Sequence, residues 1–214
     1  ITPGKALSQP ASPTKLSYEC PLTLSSMLSA IASLLAKEAF MPWCPIAIPS
    51  VTVMVVNSLG VPSASITPFL TACAKTGKPI MLKRHYGASL RDWLGAAEYI
   101  LYEGNNKVLL CERGVSVPHT HRSTSRFLLD LQVVPAAKEV THLPIIVDPS
   151  HATFWRPWVK PMSLAAVASG ADGIMLEVHP DPSNSAVDPL QPIDFKEFSD
   201  LVQLMDSVAK ASFK

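Results

Sequence analysis

From about Thr76 onward, short runs of apolar and often β-branched residues alternate with longer amphipathic segments, and this alternation most constrains the fold. Each run is nearly continuous in apolar residues, as a strand covered on both faces requires. The predicted strands are Pro79–Lys83, Lys107–Cys111, Pro144–Val147 and Gly173–Glu177, with Val51–Val56 as an earlier member of the series. The predicted helices are Ser89–Tyr102, Arg126–Lys138, Ser163–Ser169 and Asp194–Lys210. Such alternation predicts right-handed βαβ units, a parallel sheet and therefore an α/β fold.

The first seventy or so residues have a different character, because they are rich in Pro and Ser and carry few charges. The apolar stretch Leu22–Ala36 is too short and too polar for a membrane span. It is expected to form a partly buried helix, with a signal-peptide core as the alternative. The predicted organisation is an irregular or helical N-terminal segment, residues 1–50, followed by a portion of a (β/α) barrel, residues 51–214.

Composition limits the classes of partner. The net charge is +1 and only 16% of residues are charged, which argues against a nucleic acid or an anionic membrane as partner. The four cysteines, Cys20, Cys44, Cys73 and Cys111, form no CxxC pair, so neither a zinc ribbon nor a dense disulfide framework is indicated. A reducing, cytoplasmic location is expected.

Polar residues close the predicted strands with unusual regularity. They are Lys83 at the end of the first clear strand, Glu112 and Arg113 at the end of the second, Asp148 and His151 at the end of the third, and Glu177 and His179 at the end of the fourth. The carboxyl ends of parallel strands share one edge of the sheet, and ligands bind there. These side chains are therefore expected to converge on one site.

The residue types at this edge suggest two kinds of ligand. Lys83 and Arg113 suit a phosphate or carboxylate. His151 and Glu177, with Asp188 in the following loop, suit a borderline divalent cation such as Mn, Fe, Co or Zn. Each residue also has a simpler interpretation: the lysine could pair with a neighbouring carboxylate, the arginine could bridge to Glu177, the histidine could be a hydrogen-bonded core residue, and the aspartate could be an ordinary turn residue. His179 is expected to orient its loop.

Four strings in this region resemble the compact, bacterial type of 3-deoxy-7-phosphoheptulonate (DAHP) synthases. They are Lys78–Arg84 (KPIMLKR), Lys107–Gly114 (KVLLCERG), His142–His151 (HLPIIVDPSH) and Gly173–Pro182 (GIMLEVHPDP). The likeness extends from about residue 76 to about residue 206. It implies a TIM-type (β/α) barrel, here incomplete, and the condensation of phosphoenolpyruvate with erythrose 4-phosphate toward aromatic amino acids.

The resemblance also implies residue roles. Lys83, Arg84, Arg113 and Arg126 would bind the phosphorylated substrates, and Lys83, Arg113 and His151 would be catalytic. His151, Glu177 and Asp188 would bind the divalent metal. Small phosphorylated molecules and further copies of the chain are the expected partners.

Several motifs of the family's front half do not appear in this sequence. They are GPCS, which supplies a cysteine metal ligand, KPRTS, and the arginine of GARN. Cys44 is the nearest substitute for the cysteine in chain order, but its context differs. Two alternatives therefore stay open: a truncated, non-catalytic homologue that acts as a binding or subunit-interaction module, and a 3-deoxy-octulosonate-8-phosphate synthase. The change of composition near residue 70 favours a truncated or frame-shifted product.

Overall fold

The computed structural model describes residues 54–57, 63–119, 121–123, 125 and 127–212. Strands and helices alternate along most of this length. The elements in chain order are β1 (Met54–Asn57), α1 (Ser63–Lys75), β2 (Ile80–Lys83), α2 (Leu90–Tyr102), β3 (Val108–Glu112), β4 (Val115–Ser116), β5 (Phe127–Leu128), α3 (Val133–Lys138), β6 (Ile145–Val147), α4 (Pro149–Thr153), α5 (Arg156–Ala168), β7 (Gly173–Ile174), a 3₁₀ turn (Pro182–Asn184) and α6 (Phe195–Ser212). The N-terminal segment 1–50, with Leu22–Ala36, Cys20 and Cys44, and also Arg126 lie outside the described residues.

Five strands form one parallel sheet in the order β1-β2-β3-β6-β7. Each connection to the next strand of this sheet passes through a helix, as parallel pairing requires. The short strands β4 and β5 pair antiparallel to each other and form a separate excursion between β3 and β6. The expected α/β class with parallel strands is thus confirmed, and it is consistent with part of a TIM-type barrel.

The two faces of the sheet differ. Alternate residues such as Ile80, Leu82 and Leu110 are fully buried and belong to the hydrophobic cluster that also contains helix residues. We call this side the helix-covered face. The residues between them lie on the second face, where Lys83 is the register partner of Cys111. Alternation in a strand therefore decides whether a side chain enters the helix layer or the opposite side.

Helices α1 and α4 are not among the four predicted helices, and two of those four differ from the structure. The segment predicted as a helix from Arg126 starts its helix only at Val133, because Phe127–Leu128 pair as strand β5. Helix α5 extends over Arg156–Ala168, whereas the sequence pattern predicts only its second half. A proline in its first turn is compatible with helix initiation, and Pro161 lies inside the helix without ending it. Among the described residues, no helix combines the length and the apolarity needed to cross a bilayer.

Candidate active site

A buried ion pair joins the ends of β2 and β6. Lys83 is the last residue of β2 and is 9% exposed, and Asp148 follows β6 and is fully buried. The Lys83 Nζ lies 3.0 Å from the Asp148 Oδ2. Asp148 also caps helix α4, since its carboxylate accepts a hydrogen bond from the backbone N–H of His151. The cap fixes the direction in which the following histidine leaves the strand end.

His151 is held between two carboxylates. Its Nδ1 lies 2.8 Å from the Asp148 Oδ2, and its Nε2 lies 2.9 Å from the Glu177 Oε1. Burial opposes a charged imidazole, but the hydrogen bonds to Asp148 and Glu177 outweigh it and raise the pKa of His151 to about 9. The pKa of Asp148 is lowered, because the hydrogen bond and charge of His151 and the charge of Lys83 exceed the opposing effect of burial. A continuous chain of alternating charge thus runs from Lys83 to Glu177.

Arg113 lies beyond the end of β3 and is half-buried. Its guanidinium carbon lies 4.3 Å from the centroid of the Phe127 ring. Among the residues that the structure describes, no carboxylate lies within 4.0 Å of this guanidinium, so the alternative of a bridge to Glu177 is not what is seen. Burial and the nearby positive charge of Arg113 lower the pKa of His85. Arg113 therefore offers its N–H donors without a neutralising partner on the described part of the chain.

Arg84 belongs to a second ion network on the helix-covered face. Its NH1 lies 3.0 Å from the Glu112 Oε2 and 2.8 Å from the Asp130 Oδ2, and its Nε donates to the Ala88 carbonyl at 3.0 Å. The Glu112 side chain is fully buried and also accepts a hydrogen bond from the Gly114 N–H at 2.7 Å. Burial raises the pKa of Glu112 despite the opposing charge of Arg84. Substrate binding by Arg84 stays a prediction, and its guanidinium is committed to two carboxylates.

The three predicted metal ligands are only partly brought together. His151 and Glu177 are in contact, while Asp188 is exposed in a loop with a φ of 48°. Over the described ranges, no group of three His, Cys, Asp or Glu side chains is arranged to hold one ion. A carboxylate-anchored imidazole beside a second carboxylate is nonetheless a donor pair that borderline divalent cations accept. His179 contacts the backbone of Asp181 within its own loop, as predicted.

Three further residues shape the site and do not follow from the sequence reasoning. Asp130 is the second carboxylate paired with Arg84, and the Phe127 ring lies under the Arg113 guanidinium. The Ser150 hydroxyl accepts a hydrogen bond from the Glu177 N–H at 3.1 Å. Ser150 follows Asp148 by two residues, so its place near the strand end is a usable signal. Asp130 and Phe127 come from the β4–β5 excursion and the loop after it, where the rule about strand ends does not apply.

Comparisons with known proteins give a consistent result. The model of the DAHP synthetase I family matches residues 52–213. Phospho-2-dehydro-3-deoxyheptonate aldolase of Thermotoga maritima is 41% identical over 153 residues, which are 72% of this chain and 44% of that protein. A 2-dehydro-3-deoxyphosphooctonate aldolase of Desulfotalea psychrophila is 28% identical over 156 residues, 68% of this chain and 54% of the relative.

Solved structures agree with this result. The crystal structure of the Thermotoga maritima DAHP synthase has a TM-score of 0.65 at 40% identity, covering 73% of this chain and 45% of that one. A truncated form of the same organism's enzyme gives the same TM-score and is 58% covered. The chain thus spans about half the length of the curated relatives it matches.

Proposed function

The chain belongs to the DAHP synthetase I family, and on that premise we propose that its strand-end site condenses phosphoenolpyruvate with erythrose 4-phosphate to give 3-deoxy-7-phosphoheptulonate and phosphate. One observation carries the proposal. The ends of β2 and β6 and the loop after β7 bring Lys83, Asp148, His151 and Glu177 into one contiguous chain of contacts. This chain combines a cation for an anionic substrate with a histidine–carboxylate donor pair for a metal.

Lys83 and Arg113 would hold the phosphoenolpyruvate. Arg113 presents a planar set of donors that matches a phosphate or carboxylate, and Lys83 adds a compact positive charge. Lys83 is paired with Asp148 in the structure, so binding of an anion there would place a second negative group beside the ammonium rather than create a new charge pair. Fixed cations at a partly buried site orient the substrate and stabilise charge without reorganising solvent.

His151 and Glu177 would hold the divalent cation, with Asp188 as the third ligand. Lewis acidity toward the aldehyde oxygen of the sugar phosphate is the chemistry that such a cation supplies when bound. Asp148 fixes the imidazole, because its carboxylate accepts the hydrogen bond of Nδ1 and leaves Nε2 directed toward Glu177. The Ser150 hydroxyl holds the backbone of Glu177 and so sets the direction of that carboxylate.

The domain division is proposed in the same terms. Residues 51–214 would form one barrel portion, and this is supported by a single hydrophobic cluster whose members range from Leu70 in α1 to Met205 in α6. Cys73 and Cys111 are buried free thiols, which supports the cytoplasmic location proposed for the chain.

A second candidate function is the octulosonate reaction of the more distant relatives. The relatives named 2-dehydro-3-deoxyphosphooctonate aldolase are 28–30% identical, against 41% for the heptonate enzyme. An eight-carbon product made from three-carbon phosphoenolpyruvate requires a five-carbon sugar phosphate, whereas a seven-carbon product requires a four-carbon one. The identities favour the shorter acceptor.

The test is phosphate release by the full chain with phosphoenolpyruvate, either acceptor, and Mn, Fe, Co or Zn supplied in turn. We expect release with erythrose 4-phosphate that exceeds release with a pentose 5-phosphate. Glu177→Gln should lower the rate by at least about tenfold, a loss typical of a removed metal ligand or ligand partner. Lys160→Gln, on the exposed side of helix α5, is the matched control and should leave the rate unchanged. No release with any metal or acceptor would refute the proposal and favour a non-catalytic homologue.

A further inference from the structure

The arginine of the candidate site rests on a row of aromatic rings. The Phe127 ring, under the Arg113 guanidinium, has its centroid 5.5 Å from that of Tyr86 and 5.9 Å from that of Phe154. We call Tyr86, Phe127 and Phe154 the aromatic strip. Its backbone is tied to the sheet edge, since Phe127 pairs with Ser116 across β4 and β5 and the Ser116 N–H donates to the Tyr86 carbonyl at 2.7 Å.

The close approach of Phe127 to the end of β3 depends on a glycine. A Cβ added at Gly114, the residue after Arg113, would lie 2.8 Å from the Phe127 Cβ and 3.1 Å from the Ala152 Cβ. Gly114 also has a φ of +96°, which side-chain-bearing residues rarely adopt. The chain therefore turns away from Arg113 in a way that only glycine permits, and the space so made is filled by Phe127.

An aromatic ring serves an anion-binding arginine differently from a carboxylate. A carboxylate partner would neutralise the guanidinium and occupy its N–H groups, as Glu112 and Asp130 do for Arg84. A ring below the guanidinium plane attracts the cation through its negative face and leaves the in-plane donors available. The Arg113 guanidinium carbon lies over the Phe127 ring, and within the described residues the guanidinium has no carboxylate partner.

We propose that Phe127 is a positioning residue that holds the Arg113 guanidinium with its donors directed at the anionic substrate. This inference rests on the proposed function and adds to it the residue that holds the anion-binding arginine in position. It assigns to the β4–β5 excursion a role in substrate affinity that acts through Arg113.

The experiment measures binding of phosphoenolpyruvate alone, by calorimetry, so that it needs no turnover. The full-length variants are Phe127→Leu, Phe127→Trp, Arg113→Gln and the double variant Phe127→Leu/Arg113→Gln. Phe198→Leu, a half-buried phenylalanine on helix α6, is the matched control for loss of an aromatic ring. Side-chain NMR of labelled arginine gives a second readout, because a ring below the guanidinium shifts the Arg113 resonances upfield.

Phe127→Leu should weaken phosphoenolpyruvate binding by about three- to tenfold, the range of a cation–π contact at a partly buried site. Phe127→Trp should keep the wild-type affinity for phosphoenolpyruvate, and Phe198→Leu should leave that affinity unchanged. In the Arg113→Gln background the Phe127 substitution should have no further effect, since the two residues act as one unit. The upfield shift of the Arg113 resonances should disappear in Phe127→Leu.

Three results would overturn the inference: unchanged affinity in a folded Phe127→Leu protein, equal losses from Phe127→Leu with and without Arg113, or wild-type protein that does not bind phosphoenolpyruvate. If Phe127→Leu does not fold, the test relies on the affinity of Phe127→Trp and on the Arg113 resonances of the wild type. Absence of an upfield ring-current shift of the wild-type Arg113 resonances would also overturn the inference. Wild-type binding with the predicted pattern but without phosphate release would leave the inference standing and refute the proposed reaction.

Discussion

Replacing Arg84 by methionine should destabilise the protein strongly, because it leaves a buried carboxylate without its cation. The Glu112 side chain is fully buried and lies 3.0 Å from the Arg84 NH1. Removing one partner of a buried pair costs about 3–5 kcal/mol in unfolding free energy. Glu112 keeps the hydrogen bond from the Gly114 N–H, and Asp130 is partly exposed to solvent, so we expect the lower end of that range, about 3 kcal/mol.

The loss should depend on pH. Burial raises the pKa of Glu112 even beside Arg84, and removal of the positive charge raises it further. As the pH falls from 7 toward 5, the folded variant takes up a proton at Glu112 that the unfolded chain does not yet bind. The stability of Arg84→Met relative to the wild type therefore rises, so the difference in unfolding free energy between the two proteins becomes smaller.

Urea unfolding followed by tryptophan fluorescence at pH 7 and pH 5 measures both effects. Lys75→Met is the matched control, since it breaks the exposed Lys75–Glu103 pair and should cost less than about 1 kcal/mol. Adding Glu112→Gln to Arg84→Met should recover part of the loss. A deficit in Arg84→Met no larger than in the control, together with weakened phosphoenolpyruvate binding, would refute the structural role and return Arg84 to direct substrate binding.

Two further substitutions test the geometry around the site. Gly114→Ala should lower the unfolding free energy by about 2–3 kcal/mol, because the new Cβ would lie 2.8 Å from the Phe127 Cβ and the φ of residue 114 is +96°. Gly95→Ala is the control: residue 95 has open space around it on helix α2, so this change should be neutral or slightly stabilising in the same urea titration. Asp148→Asn removes an anion that favours the imidazolium, so the pKa of His151 should fall from about 9 toward 6.5 in the metal-free protein, as an NMR titration of the imidazole C–H would show; a pKa that stays near 9 would mean that Glu177 alone sustains it.

The strands of the sheet are predictable because each is a short, buried apolar run. Four of the predicted runs overlap β2, β3, β6 and β7, and the ends of run and strand differ by no more than three residues. The β4–β5 excursion is not predictable, because strands of two residues have no measurable alternation. Helix α5 is underestimated from the sequence since Pro157 and Pro161 resemble helix breakers, although the first stands in the opening turn.

The convergence of the site residues can be predicted from their positions at strand ends. The residues that support them lie elsewhere, so the same rule does not predict their positions. Lys83 ends β2, and Asp148 and His151 lie within four residues of the end of β6, so the rule that parallel strand ends share one edge brings them together. Phe127 reaches the same region from the two-residue strand β5 and Asp130 from the loop after it, where no periodicity is long enough to fix a direction. Their contacts with Arg84 and Arg113 are decided by tertiary packing alone.

The place of a polar residue in the two-residue repeat of its strand, more than its place at the strand end, decides which ion network it joins. Lys83 pairs in register with Cys111 on the second face and contacts Asp148 there. Arg84 is one residue further, so its side chain points to the opposite side, where it meets Glu112. Adjacent cations in one motif thus serve different purposes: one faces the candidate site, and the other neutralises the carboxylate that lies beneath it.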